Sequence, residues 1–348
     1  MISRKEISEI KDHLERAQNP IFFYDNDADG LCSYVLLRRF LGRGRGVAIR
    51  THPDIDIGYV RKVQELKADY VFVLDKPVLG ESFVNEIKGL GIPIVWLDHH
   101  DVGEKYEGVF SYNSSRNLKR DQMAEPVTCI CYEVTGRSED MWLGIMGCIA
   151  DNFLPKFADK FSVEYKPFWG TKKEIKLPFD AYYKTGIGLL ARSIGFGLKD
   201  SITNVIRLQN LLIKSKSPDE LMGELDSGNS FGKKYREIKT KYQKLVEKAK
   251  KNVSGKLLFF VYSGDLSISS EISNELCYLY PNKIVVVAFD NGGIANLSLR
   301  GSNVKGLIDK LLPEFEGASG GGHPDAVGAR IRSKDLDRFK QVILSEIK

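Results

Sequence analysis

The sequence contains no apolar stretch approaching the roughly 18 residues that a membrane-spanning helix requires, no CxxC pair, no internal repeat and no low-complexity tract. Its 5 cysteines (Cys32, Cys129, Cys131, Cys148 and Cys277) are scattered and odd in number. That argues against a disulfide framework or a cysteine metal site and for buried free thiols. Without a membrane span, and with Met1–Glu6 reading as the opening of a charged helix rather than a leader, the expected location is cytoplasmic with no membrane partner. Histidine is scarce at 5 residues: His99, His100 and His323 fall inside motifs, whereas His13 and His52 read as ordinary surface residues. The net charge of +5 is too small to argue for nucleic acid by itself.

What is present is an ordinary globular composition, 43% hydrophobic over 348 residues, enough for two domains with separate cores. Short apolar runs at 21–24, 47–51, 71–74 and 94–97 alternate with helical stretches at 4–17, 31–41, 59–66 and 83–90. That alternation predicts an α/β fold with a mostly parallel, helix-flanked sheet. A helix is expected from Pro126, and 141–150 reads as either helix or strand. Residues 153–228 form an irregular, then helical, extension of the first domain (1–228), with helices at 189–194, 202–213 and 218–225.

The segment 231–252 carries nine lysines and arginines against Glu237 and Glu247. Tyr235, Ile238, Tyr242, Leu245 and Ala249 form one apolar stripe through it, which predicts a basic helical connector over 229–253. Its charge suits a solvated face or a stripe that attracts phosphate, and its apolar stripe suits docking within the chain or self-association. Residues 254–348 read as a smaller α+β domain. Strand-like runs lie at 257–262, 284–289, 294–300 and 326–331, with a hairpin at Asn291-Gly292-Gly293 and a helix at 304–312.

The chemistry sits where apolar runs end. Asp25-Asn26-Asp27-Ala28-Asp29-Gly30 follows the first run, Asp75 the third, Asp98-His99-His100 the fourth, and Asp151 the stretch ending at Ala150. Converging carboxylates repel one another unless a cation holds them, and oxygen-rich sets suit hard divalent ions. An EF-hand calcium loop does not fit the first cluster, because its twelfth position is Leu36 and the preceding segment is strand-like. The histidine pair shifts the preference from magnesium towards manganese, iron or zinc. So many ligands exceed one ion's needs, so two ions bridged by Asp75 are expected, with hydrolysis of a phosphate ester or anhydride by in-line attack of hydroxide on phosphorus. Gly320-Gly321-Gly322-His323 and Arg300 would serve an anion through backbone N–H groups, an imidazole and a guanidinium.

On these motifs the chain resembles the DHH phosphoesterases, of the RecJ and NrnA type that carry a DHH-associated C-terminal domain. The first cluster, Asp75, Asp98-His99-His100, Asp151 and Gly320–His323 with Pro324 occur in family order. The resemblance implies a two-manganese centre, with Mg²⁺ or another divalent ion as substitute, held by Asp25, Asp27, Asp29, Asp75, Asp98, His99 and Asp151. It implies that His100, with Asp98 and Asp75, acts at the scissile phosphate, and that Arg300, Gly321, Gly322 and His323 bind substrate. The expected activity is exonucleolytic release of nucleotides from the end of single-stranded DNA or RNA. The alternatives are a nanoRNA or linear or cyclic dinucleotide phosphodiesterase, and a silent scaffold in a replication complex. A helicase or replication partner is left open. Two departures from the family pattern stand out: Lys76-Pro77 after Asp75, where a small residue or glycine is usual, and Asp325-Ala326-Val327-Gly328.

Overall fold

The computed structural model describes residues 2–347 except 52–53, 102, 104, 119–122 and 172–173. It divides into two compact units, Met1–Tyr235 and Arg236–Lys348.

The first unit opens with helix α1 (Arg4–Arg16), whose N-cap Ser3 and Glu6 form a reciprocal capping box. The strands follow as β1 (Pro20–Asp25), β2 (Arg45–Ile49), the short β3 (Asp54–Ile55), β4 (Tyr70–Leu74), the short β5 (Val78–Leu79), β6 (Ile94–Asp98) and β7 (Val109–Asn113). Helices α2 (Ala28–Leu41), α3 (Val60–Glu65) and α4 (Glu81–Gly89) lie between them. The main sheet has the order β2-β1-β4-β6-β7 and every pairing is parallel, as the alternation of apolar runs and helices requires.

Residues alternate across its two faces. Ile21, Phe23, Val71, Val73, Ile94 and Trp96 pack with Val60, Val63, Phe83 and Ile87 of α3 and α4 in one buried cluster. Phe22 and Tyr24 instead pack on Tyr34 of α2, with ring centroids 5.6 and 5.3 Å apart. Both faces are therefore covered, and the strands read as continuous apolar runs.

Behind α2 lie α5 (Val127–Thr135) and α6 (Met141–Ala150). The stretch 141–150 is thus a helix, and Pro126 is its neighbour's N-cap residue rather than a first helical residue. Helices α7 (Ala158–Glu164), α8 (Lys166–Trp169), α9 (Pro178–Lys184), α10 (Gly186–Gly197), α11 (Ile202–Lys214) and α12 (Pro218–Asp226) complete the unit. His13 is not at the surface: it is buried against Phe110, with centroids 4.2 Å apart, and its Nδ1 lies 3.3 Å from Tyr70 Oη. His52 lies outside the described residues.

Helix α13 (Ser230–Lys250) matches the expected basic helix. Its buried stripe is Tyr235, Ile238, Tyr242, Val246 and Ala249. Val246 takes the place expected for Leu245, which is only half buried.

The second unit contains β8 (Val253–Ser254), β9 (Leu257–Tyr262), α14 (Ser269–Leu279), β10 (Ile284–Asp290), β11 (Ile294–Arg300), α15 (Val304–Leu311), β12 (Ser319–His323), β13 (Ala326–Arg332) and α16 (Leu336–Glu346). Its sheet order is β12-β13-β11-β10-β9-β8, parallel only between β9 and β10. The expected hairpin joins β10 to β11. Val286, Leu297, Leu299, Val327 and Ile331 build the core with Ile308, Phe339 and Ile343 from α15 and α16.

Candidate metal centre

Three neighbouring strands end in acid. Asp25 closes β1, Asp98 closes β6, and Asp75 follows β4, the strand between them. The register pairs Tyr24 with Leu74 and Leu74 with Leu97, so the three carboxylates stand abreast at the carboxyl edge of the parallel sheet, the usual ligand edge of such sheets. Asp75 has φ 59°, left-handed for a residue with a side chain, and its N–H donates to the Leu97 carbonyl at 2.9 Å. Such a conformation costs on the order of 1–3 kcal/mol and persists only where the surroundings impose it.

The first cluster is partly structural. Asp27 is the N-cap of α2, accepting from Gly30 N at 2.9 Å. The chain is tight here: a Cβ on Gly30 would lie 2.4 Å from the Asp25 carbonyl oxygen. Asp29 reaches from the first turn of α2 to the start of α5, where it accepts from Val127 N at 2.9 Å and Thr128 N at 2.8 Å.

The third cluster is a hydrogen-bonded pair. Asp98 Oδ1 lies 2.8 Å from His100 Nδ1, and Asp98 Oδ2 accepts from His100 N at 3.0 Å. Asn113, at the end of β7, donates its Nδ2 to Asp98 Oδ2 at 3.2 Å and to the His100 carbonyl at 2.9 Å. Nothing in the sequence singles out Asn113 as a site residue, because no apolar run marks its strand. Lys76 is the other residue whose part sequence reasoning misses. It is fully buried, and its Nζ donates to Asp25 Oδ1 at 2.8 Å and to the Thr51 carbonyl at 2.7 Å.

His99 binds the strand ends to Asp151, the C-cap of α6. Its Nε2 lies 3.2 Å from Asp75 Oδ1 and 3.6 Å from Asp151 Oδ2. Ligand atoms about 2.1 Å from one ion, at right or tetrahedral angles, are themselves about 3.0–3.4 Å apart. Asp75 Oδ1 is buried with no hydrogen-bond partner, which is costly unless a cation or donor completes it. Asp29, Asp75 and His99 also offer ligand atoms all within 4.8 Å of one another, as do Asp75, Asp98 and His100. These residues fit a divalent cation held by mixed oxygen and nitrogen ligands.

The electrostatics agree. Burial first, then the neighbouring Asp29, pushes Asp75 well above the usual carboxylate range. Burial carries Asp151 to about 6. Burial works against protonation of His99, but Asp151, Asp29 and Asp98 outweigh it and raise the imidazole; His100 is raised likewise, by its bond to Asp98. Carboxylates that resist ionising together mark a place where a cation is strongly bound.

In the second unit, Arg300 pairs laterally with Ala326 across β11 and β13, and His323 pairs with the same Ala326 across β12 and β13. Arg300 and His323 therefore flank one residue at the same end of the sheet. Arg300 Nε donates to Asn274 Oδ1 at 2.5 Å. The glycine run lies on the exposed edge strand β12. Gly322 has φ 145°, and a Cβ there would meet the Ala326 carbonyl oxygen at 2.4 Å. Three of the four residues expected at substrate thus lie on the edge strand, and Arg300 lies two strands in at the same end as His323.

Residues 254–348 match the family model described as the DHHA1 domain. The second unit carries a DHHA1 domain. A search of curated protein sequences finds no match. Among solved structures, exonuclease RecJ bound to manganese is similar at 16% identity, covering 99% of this chain and 94% of that one, with a TM-score of 0.60. The DHH domain of a protein described as a member of a ribosomal-protein family is similar at 15% identity, 99% and 90% coverage, TM-score 0.67. A pGpG-specific phosphodiesterase from Vibrio cholerae is similar at 15% identity, 95% and 99% coverage, TM-score 0.52. The chain thus shares its fold with RecJ over nearly its whole length and carries the DHHA1 domain over 254–348.

Proposed function

We propose that this protein is a divalent-metal-dependent phosphodiesterase that releases nucleotides from the end of single-stranded DNA or RNA. The observation that carries the reading is the meeting of buried Asp75 and His99 with the partly exposed Asp151, with Asp75 Oδ1 left without a hydrogen-bond partner. Manganese suits that donor set, with magnesium as substitute, and such an ion supplies water activation and charge neutralisation at phosphorus. In this reading Asp25, Asp27, Asp29 and Asp98 shape the anionic pocket around the ion.

His100 is positioned for proton work. Asp98 takes up its Nδ1, and Asn113 fixes both partners. Burial works against the charged ring, but the bond to Asp98 outweighs it and raises the imidazole; a protonated ring would donate from Nε2–H to a phosphoryl or leaving oxygen. Arg300, His323 and the backbone of Gly321 and Gly322 would hold the terminal nucleotide through its phosphate.

A strand is favoured over a dinucleotide by α13. Lys233, Lys244 and Lys248 are exposed, and at 1.5 Å per residue they extend over roughly 22 Å, more than a single phosphodiester needs. Not all of the positive charge is available, since Lys241 pairs with Asp265 and Glu237, and Lys250 with Glu247. The test is Mn²⁺-dependent release of mononucleotides from end-labelled single strands of graded length. Release from long strands is expected. Cleavage confined to dinucleotides, including pGpG, would replace the strand reading, and no cleavage of either would overturn the phosphodiesterase.

A further inference from the structure

We infer that Lys76 is a built-in cation that takes the place of one divalent ion, so that the centre binds a single metal. The inference rests on the proposed metal centre and specifies its composition. Six carboxylates, Asp25, Asp27, Asp29, Asp75, Asp98 and Asp151, gather at this edge, yet most are already engaged. Asp27 caps α2, Asp29 holds two backbone N–H groups of α5, and Asp98 holds His100 and Asn113. Asp25 is held by the ammonium of Lys76, 2.8 Å from Oδ1.

Lys76 is not a surface lysine that happens to bend inwards. Its side chain is 1% exposed, its Nζ has a second acceptor in the Thr51 carbonyl, and its own carbonyl accepts from Trp96 Nε1 at 2.8 Å. A buried ammonium with two acceptors cannot leave without stranding its charge in the interior. A divalent ion on Asp25 would stand within a few ångströms of that ammonium, where like charges repel strongly. The opposite side of the pocket differs. There Asp75 Oδ1 lacks a hydrogen-bond partner, and His99 Nε2 stands at one-ion spacing from Asp75, with Asp151 Oδ2 a little farther at 3.6 Å. Lys76 occupies the position after the central strand's aspartate, so the substitution of a fixed charge for a metal is written next to the metal ligand itself.

The test is metal stoichiometry, independent of turnover. Protein stripped with chelator is titrated with Mn²⁺ by calorimetry, and bound manganese is read by electron paramagnetic resonance. Wild type is expected to bind one ion per chain, with the hyperfine pattern of an isolated ion. Asp25→Asn is expected to keep that stoichiometry with affinity within about threefold, whereas Asp75→Asn loses it. Lys76→Ala, which opens Asp25, is expected to take up a second ion. Two ions in wild type with an exchange-coupled spectrum, or loss of an ion in Asp25→Asn, would overturn the inference while leaving the phosphodiesterase standing. No bound ion in wild type would overturn both. Circular dichroism of each variant separates misfolding from lost binding, and Asp25→Asn decides the matter if Lys76→Ala does not fold.

Discussion

The carboxylate of Asp29 grips the backbone of Thr128 across 99 residues of sequence, accepting its N–H at 2.8 Å while Thr128 Oγ1 returns a bond to the Asp29 carbonyl at 2.8 Å. With Val127 N at 2.9 Å on the other oxygen, the carboxylate satisfies two N–H groups of the first turn of α5 and meets the positive end of its dipole. The acid is thus an anchor between two helices as well as a wall of the proposed metal pocket.

Asp29→Ala strands two buried donors that had been bonded to a charge, and we expect it to cost about 2–4 kcal/mol. Urea unfolding in chelator reads this without any metal effect. A midpoint unchanged from wild type would show that α5 is held by packing alone.

The acids at the strand ends are legible because a buried parallel strand leaves a simple trace, an apolar run, and its end is where polar residues return. Asp75 stands at the end of the central strand β4, as its isolation after 71–74 implies. Strand β7 escapes sequence reasoning for the opposite reason: Phe110 is exposed and Ser111 polar on this edge strand, so no apolar run marks it, and Asn113 goes with it. Helix α2 starts three residues earlier than its apolar pattern implies, because Asp27 is a good N-cap as well as a candidate ligand. The Lys76–Asp25 pair spans 51 residues, a tertiary contact that no local pattern encodes. The glycines of β12 carry no side-chain alternation at all, so the sequence marks no strand there.

Gly30 and Gly223 make a contrasting pair. A Cβ on Gly30 meets the Asp25 carbonyl oxygen at 2.4 Å and Asp25 N at 2.8 Å, both backbone atoms that cannot swing aside, whereas a Cβ on Gly223, inside α12, meets nothing within 4 Å. Gly30→Ala is expected to destabilise by about 1–3 kcal/mol through overpacking, and Gly223→Ala to stabilise by about 0.5–1 kcal/mol through helix propensity. Thermal melting of the two variants should move in opposite directions; a rise for Gly30→Ala would refute the close approach of α2 to the end of β1.

Asp140 joins three segments from a buried position. Its carboxylate lies 2.7 Å from Arg39 Nη2 and 2.8 Å from Arg137 Nε, while Arg39 Nη1 donates to the carbonyls of Leu212 and Ile213 at the end of α11. Removing one partner of a buried pair leaves the other's charge uncompensated, so Asp140→Ala should cost about 3–5 kcal/mol. The double variant Arg39→Met/Asp140→Leu should recover much of that loss, since it leaves no orphan charge in the interior. If chemical denaturation places the double variant below the single one, the arginine's carbonyl contacts outweigh the ion pair.

His13 gives the fold a pH dependence away from the metal centre. Burial, and then Arg16, lower its pKa from the ordinary 6.5, and Tyr70 Oη and the Phe110 ring pack against it. Facing it from its own helix, Asp12 and Glu9 pull the other way without reversing the shift. The sign follows from linkage: near pH 6.5 the unfolded chain takes up a proton that the folded one refuses, so stability is full above 6.5. It is lost as pH falls from 6.5 to the lowered folded value, and levels off below that. His13→Phe keeps the ring packing and removes the proton. The stability of wild type relative to His13→Phe, measured by urea unfolding in chelator from about pH 8 to about pH 5, should therefore decline on acidification. A difference that stays flat, or that grows in favour of wild type at low pH, would mean that the folded protein accepts the proton at His13.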